Sequence, residues 1–229
     1  MTKKFAIWIF ICLLVLSTAG CSATEKRETP KLALVVSGAL GDRAFNDSAK
    51  SGCDALADMW GLSLETIECN GENYADGIRK AAGSADLAVL LGSDFSDVEN
   101  LALEYPQVRF IWVDALTEVS RENVMNIVFA QNVGAFLAGY VAARMSETGV
   151  IGAVGGAENA TVQDFLGGYR QGARYADETV QVEIAYTNSY TDAALGQAAA
   201  ETLHGKGADV IFQVAGGAGS GKYAAAEQY

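Results

Sequence analysis

Three places in this chain hold residue types that could bind a small molecule. The first is GDRAFND, Gly41 to Asp47. Asp42 and Asn46 supply acceptors and a donor within a few residues. Phe45, between them, offers a flat apolar face that could stack on a planar ligand. The second is Asp114, in FIWVDAL. A carboxylate at the end of an apolar run could accept two hydroxyl hydrogen bonds, as from a ribose. The third is GGAGSGKY, Gly216 to Tyr223, which fits the G-x-x-x-x-G-K pattern of a phosphate loop. There, however, Tyr223 stands where Ser or Thr must supply a hydroxyl to magnesium. The glycines read instead as close backbone approach at a strand end, with helix N–H groups facing a cleft. Plainer roles compete. Asn46 or Asp47 could be a helix N-cap with Phe45 packed into the core, and Asp114 could be a turn or cap residue.

Other chemistries find little support. GAVGG, Gly152 to Gly156, does not complete G-x-G-x-x-G, and His204 is the one histidine, so no Ser, His and Asp arrangement suggests itself. No cysteine pair has metal-ligand spacing, and neither metal nor cofactor is expected. Of four cysteines, Cys12 falls in the leader and Cys21 at its end. Cys53, on the first helix, and Cys69, at the end of the second strand, are read as buried free thiols, with a disulfide, which export would permit, as the alternative.

The elements that must position these residues follow one rhythm. LALVV reads as a strand, then a helix runs from about Asn46 to Trp60. LSLETIEC is a strand, Tyr74 to Ala82 a helix and DLAVLLG a strand. SDVENLALEY is a helix, followed by strands VRFIWVD and VMNIVF. Near Gln131 the rhythm restarts. Helix VGAFLAGYVAARMS, strand VIGAVGG, helix VQDFLGGYRQGARYA, strand VQVEIAYT, helix AALGQAAAETLHGKG and strand ADVIFQVAGG lead into a helix begun by SGKYAAAEQY. Short apolar strands alternating with helices imply parallel sheets covered on both faces. Two such series predict two α/β lobes, residues 31–130 and 131–229, with a cleft between them and no Pro-rich linker.

The N-terminus reads as an export leader. Lys3 and Lys4 precede the apolar FAIWIFICLLVL, too short for a comfortable membrane span. LSTAGC, ending at Cys21, resembles a bacterial lipobox, with Thr18 where that motif usually has Leu. Residues 1–20 are therefore expected to leave as a lipoprotein signal, with Cys21 lipidated and residues 21–30 serving as a polar tether. An ordinary secretory cleavage after Ala19 or Gly20 is the alternative. Without Lys3 and Lys4 the chain keeps 14 basic against 28 acidic residues, so its net charge moves from -12 to -14. That balance argues against nucleic acid as a partner. Because the last helix has begun by Tyr229 with no closing strand, the chain is expected to be truncated at its C-terminus.

Several stretches together resemble the basic membrane protein family of substrate-binding lipoproteins, which includes the purine nucleoside receptors of ABC importers. They are GDRAFNDSAKSG, the FIWVDAL strand end, FLAGYVAARMSETGVIGAVGG, FLGGYRQGAR and GADVIFQVAGGAGSGKYAAA, in family order. The resemblance implies a type I periplasmic-binding-protein fold: two Rossmann-like lobes with parallel sheets, the second lobe and the return strands incomplete here. It implies a nucleoside, with a purine one favoured, delivered to an ABC permease by a non-enzymatic protein lipid-anchored on the extracytoplasmic face of the cell membrane. By position, Phe45 is one face of an aromatic sandwich with Asp42 and Asn46 beside it. Asp114 matches a ligand-binding acid, and Tyr223 stands where the opposing ring should be. Phe212 is the alternative ring but is expected in the core. The family pattern continues for roughly a hundred residues more, with an Asp and a Lys that help bind ligand. A sugar or signalling ligand in the same fold, or a surface regulatory lipoprotein without a transport role, are the rival readings.

Overall fold

The computed structural model describes residues 29–228. The expected signal peptide and the lipidation at Cys21 lie outside the described residues. Eight strands and seven α-helices alternate along the described chain. In the first half they are β1 (Lys31–Val36), α1 (Phe45–Trp60), β2 (Ser63–Glu68), α2 (Tyr74–Ser84), β3 (Leu87–Leu91), α3 (Val98–Glu104), β4 (Arg109–Val113) and β5 (Val124–Ile127). In the second half they are α4 (Gln131–Met145), β6 (Val150–Gly155), α5 (Ala160–Ala176), β7 (Gln181–Tyr186), α6 (Ala193–Gly205), β8 (Val210–Val214) and α7 (Gly221–Ala226). A 3₁₀ turn, Ala218–Ser220, precedes α7. Each expected element is present, with ends displaced by a few residues.

The first five strands form one parallel sheet in the order β2-β1-β3-β4-β5, and the last three a second in the order β7-β6-β8. Alternation along β1 shows why it lies inside. Ala33 and Val35 point to a core shared with Ile78 and Ala81 of α2 and Leu101 of α3. Leu32, Leu34 and Val36 point the other way, to a core shared with Cys53 of α1. A strand apolar at every position from Leu32 to Val36 suits a sheet covered on both faces. The second sheet repeats the arrangement. Ile151 and Ala153 of β6 meet α4 and α5, and Val154 meets α6 through Ala199 and Leu203.

Helices α4 and α5 touch through their backbones. A Cβ on Gly139 would overlap the carbonyl oxygen of Tyr169, one on Gly168 that of Asn132, and one on Gly172 that of Phe136. Glycine is what permits this approach. Cys53 and Cys69 are buried and free, as expected, and burial pushes both thiols up from their ordinary pKa. No helix among the described residues is long and apolar enough to cross a membrane.

Candidate functional site

In both sheets the strand order reverses about a central strand, β1 in the first and β6 in the second. Beyond the carboxyl ends of strands at such a reversal, the diverging connections leave a crevice. The two crevices face each other here and form one cavity of about 610 Å³. Ser37 and Gly38 follow β1, Ser93 and Asp94 follow β3, and Asp114 follows β4. Asn159 follows β6, Tyr190 follows β7, and Gly216 and Gly217 follow β8. Two hydrogen bonds span the gap between sheets. Thr161 Oγ1 donates to the Asp114 carbonyl at 3.2 Å, and Asn159 Nδ2 to Ser93 Oγ at 3.3 Å.

The β1–α1 loop is held by its own side chains. The Asp42 carboxylate accepts from the backbone N–H groups of Ala44, Asn46 and Asp47 at 2.9, 2.9 and 3.1 Å. Asp47 accepts from Gly41 and Arg43 at 2.7 and 2.8 Å. Asn46 Nδ2 donates to the Ala39 carbonyl at 3.0 Å. The capping expected of Asn46 or Asp47 therefore falls to Asp42. The helix starts one residue earlier than its sequence suggests, with Ala44, which has no capping side chain, at the N-cap position. Nor is Phe45 packed into the core. It is the first residue of α1, stays 38% exposed and lines the cavity.

Asp114 sits in the left-handed backbone region at φ 66°. Its N–H donates to the Ile127 carbonyl at 2.8 Å, which holds that conformation. Non-glycine residues seldom adopt it, and those that do concentrate at ligand sites. Burial raises the Asp114 carboxyl pKa to about 6. Asp94 is shifted the same way by burial, opposed by a hydrogen bond from Ser37. With Asp42 the cavity wall holds three carboxylates. Such groups suit hydroxyl and amine donors.

The structure brings Asp42, Phe45, Asn46 and Asp114 to one cavity but does not bring Tyr223 there. Tyr223 is 64% exposed on α7, with the Lys222 ammonium 4.9 Å from its ring. The intervening 3₁₀ turn places α7 so that glycine backbone meets the cavity and the ring faces out. The second lobe's aromatic surface comes from Phe165, Tyr190 and Phe212, joined by Phe129 from the β5–α4 connection. Phe212, expected in the core, does both jobs. Its ring stacks on buried Tyr169 at 5.1 Å and also lines the cavity. Tyr190 is fixed by a 2.9 Å bond from Asn159 Nδ2 to its hydroxyl, while Asn159 Oδ1 caps α5 by accepting from Val162.

Two further wall residues carry sequence signals of the same kind. Asp94 ends LAVLLGSD just as Asp114 ends FIWVD, an acid after an apolar strand. Tyr190 lies in the polar TNSYTD loop at another strand end.

A family model described as "ABC transporter substrate-binding protein PnrA-like" matches residues 29–229. The chain belongs to that family. Among its relatives, basic membrane protein A1 of Borrelia garinii subsp. bavariensis is 32% identical over 233 residues, covering 100% of this chain and 68% of the relative. Basic membrane protein A of Borreliella burgdorferi is 31% identical, with the same coverage. Among solved structures, a solute-binding protein of an ABC transporter system from Aeropyrum pernix K1 matches with a TM-score of 0.79 and 28% identity, covering 87% of this chain and 58% of that one. A glucose-galactose binding protein from Geobacillus stearothermophilus, at 20% identity and a TM-score of 0.68, shares the fold. The chain thus spans about two thirds of its curated relatives' length, and its family is that of ABC transporter substrate-binding proteins.

Proposed function

We propose that this PnrA-like chain binds a nucleoside, a purine one in particular, and presents it to an ABC permease. It works from the extracytoplasmic face of the membrane, held there by lipid on Cys21. The observation that carries the reading is the composition of the cavity wall. Aromatic rings from both lobes share it with three carboxylates. Rings suit a planar base, and carboxylates suit ribose hydroxyls. Residues 31–130 and 131–229 act as the two closing lobes, and closure on ligand is the working step, with no bond chemistry. Asp114, Asp42, Asn46 and Phe45 are the contacts expected from the first lobe, and Tyr190 and Phe212 are those from the second.

A thermal-shift screen tests the ligand class. Saturating nucleosides should raise the melting temperature, by the stabilisation that follows from binding the folded state alone. A shift with sugars and none with any nucleoside would overturn the reading.

A further inference from the structure

Gln131 opens α4 and lines the cavity, yet is 6% exposed. Its Oε1 and Nε2 are both buried without a hydrogen-bond partner. Burying a carboxamide unpaired is costly, so the arrangement asks for an occupant that repays it. The other side-chain amides in the wall are already employed. Asn46 Nδ2 bonds the Ala39 carbonyl, Asn159 bonds Val162 and Tyr190, and Gln213 Oε1 accepts from the Ala215 N–H. The other unpaired buried atoms, Asn126 Oδ1 and the Tyr169 hydroxyl, belong to residues outside the wall. One turn along α4, Gly134 also lines the cavity and has open space where a Cβ would stand, which leaves the Gln131 side chain room to swing.

We propose that Gln131 is the specificity-determining residue of this site, its carboxamide turning into the cavity to pair with an adjacent donor and acceptor on the edge of the ligand's ring. The proposal rests on the nucleoside reading and sharpens it. A carboxamide offers one acceptor and one donor side by side, the complement of a base edge such as the N1–H and O6 of hypoxanthine. The carboxylates, which only accept when ionised, are left to the ribose hydroxyls. Recognition of the base then depends on Gln131, and retention of the sugar does not.

Titration calorimetry of the full chain with inosine and with purine riboside, which has the same ring system and ribose but lacks that edge, tests it. The unaltered chain should bind inosine at least about tenfold more tightly, because an edge left unpaired in a buried site is heavily penalised. In Gln131→Met, of similar size, the preference should collapse to within about twofold while purine riboside affinity holds within about threefold. Preference surviving in Gln131→Met, absence of preference in the unaltered chain, or equal loss for both ligands would overturn the assignment. If neither nucleoside binds the unaltered chain, the nucleoside reading itself fails, a distinct result. Should Gln131→Met fold poorly, Gln131→Glu keeps the volume and offers acceptors alone. It should favour guanosine, with its adjacent N1–H and amino donors, over inosine relative to the unaltered chain, and an unchanged ratio would count against the proposal.

Discussion

Two strand–loop–helix units face each other across the cavity, β1 to α1 and β8 to α7, and they are built on different principles. The first is held by side chains. Asp42 ties down three backbone N–H groups, Asp47 two more, and Asn46 a carbonyl. The second is held mainly by backbone, with only Gln213 and Ser220 adding side-chain bonds. Ala218 N–H donates to the Tyr190 carbonyl at 3.1 Å, and successive turns close through Gly216, Gly217 and Ala215 carbonyls. A Cβ on Gly221 would strike the Ala193 carbonyl and the Gln197 nitrogen of α6. The first unit therefore delivers a ring, Phe45, to the cavity. The second delivers its ring, Phe212, from the strand itself, and beyond Val214 its loop delivers bare peptide, Gly216 and Gly217. Similar strand–glycine–helix grammar yields a loop of side-chain chemistry on one side and a loop of shape on the other.

The largest effect expected of this contrast is in stability. Asp42→Ala strips the acceptor from three N–H groups at the start of α1 and should cost about 2 kcal/mol in chemical denaturation. Ser220→Ala, which removes one exposed bond to the Gly217 carbonyl, should stay within about 0.5 kcal/mol. Equal costs would break the comparison. Next comes affinity. Phe45→Ala should weaken nucleoside binding by about tenfold or more, the scale of one base–aromatic stack, with little change in melting temperature. Tyr223→Ala should leave affinity within about twofold. A matching loss at Tyr223 would restore it as the opposing ring.

The smallest effect is electrostatic. The folded-state pKa of Asp114, about 6, lies above its ordinary 3.8. Between those values the folded state binds more protons than the unfolded one, so this group makes stability fall as pH rises. From pH 5 to pH 7 the loss, reduced by solvent screening of this partly exposed group, should be about 1 kcal/mol or less, and melting curves of Asp114→Asn should lack that component.

Much of this contrast was legible in the sequence, and its failures are instructive. Strand and helix periods located every strand and α-helix, because alternation and apolar runs report burial directly. The loop at Asp42 and the strand end at Asp114 were found because strand ends in such sheets have one place to point. The cap is hidden because Asp, Asn and Asp occur within six residues, and only the backbone path decides which carboxylate turns back. The outward course of Tyr223 is hidden because the 3₁₀ turn at Ala218–Ser220 leaves no sequence mark among glycines. Gln131 gave no signal at all: a polar residue at the head of a helix is ordinary until its surroundings are known.

The glycine contacts between α4 and α5 bear on mechanics. Where side chains separate two helices, they can slide by repacking rotamers; where peptide rests on peptide, there is no such give. These two helices form a stiff plank whose one end carries Gln131 and, across the seam, Thr161 and Phe165. The plank's other face is exposed at Val133, Leu137, Val141 and Tyr175, so cavity wall and outer surface belong to one piece, with backbone contact as its seam.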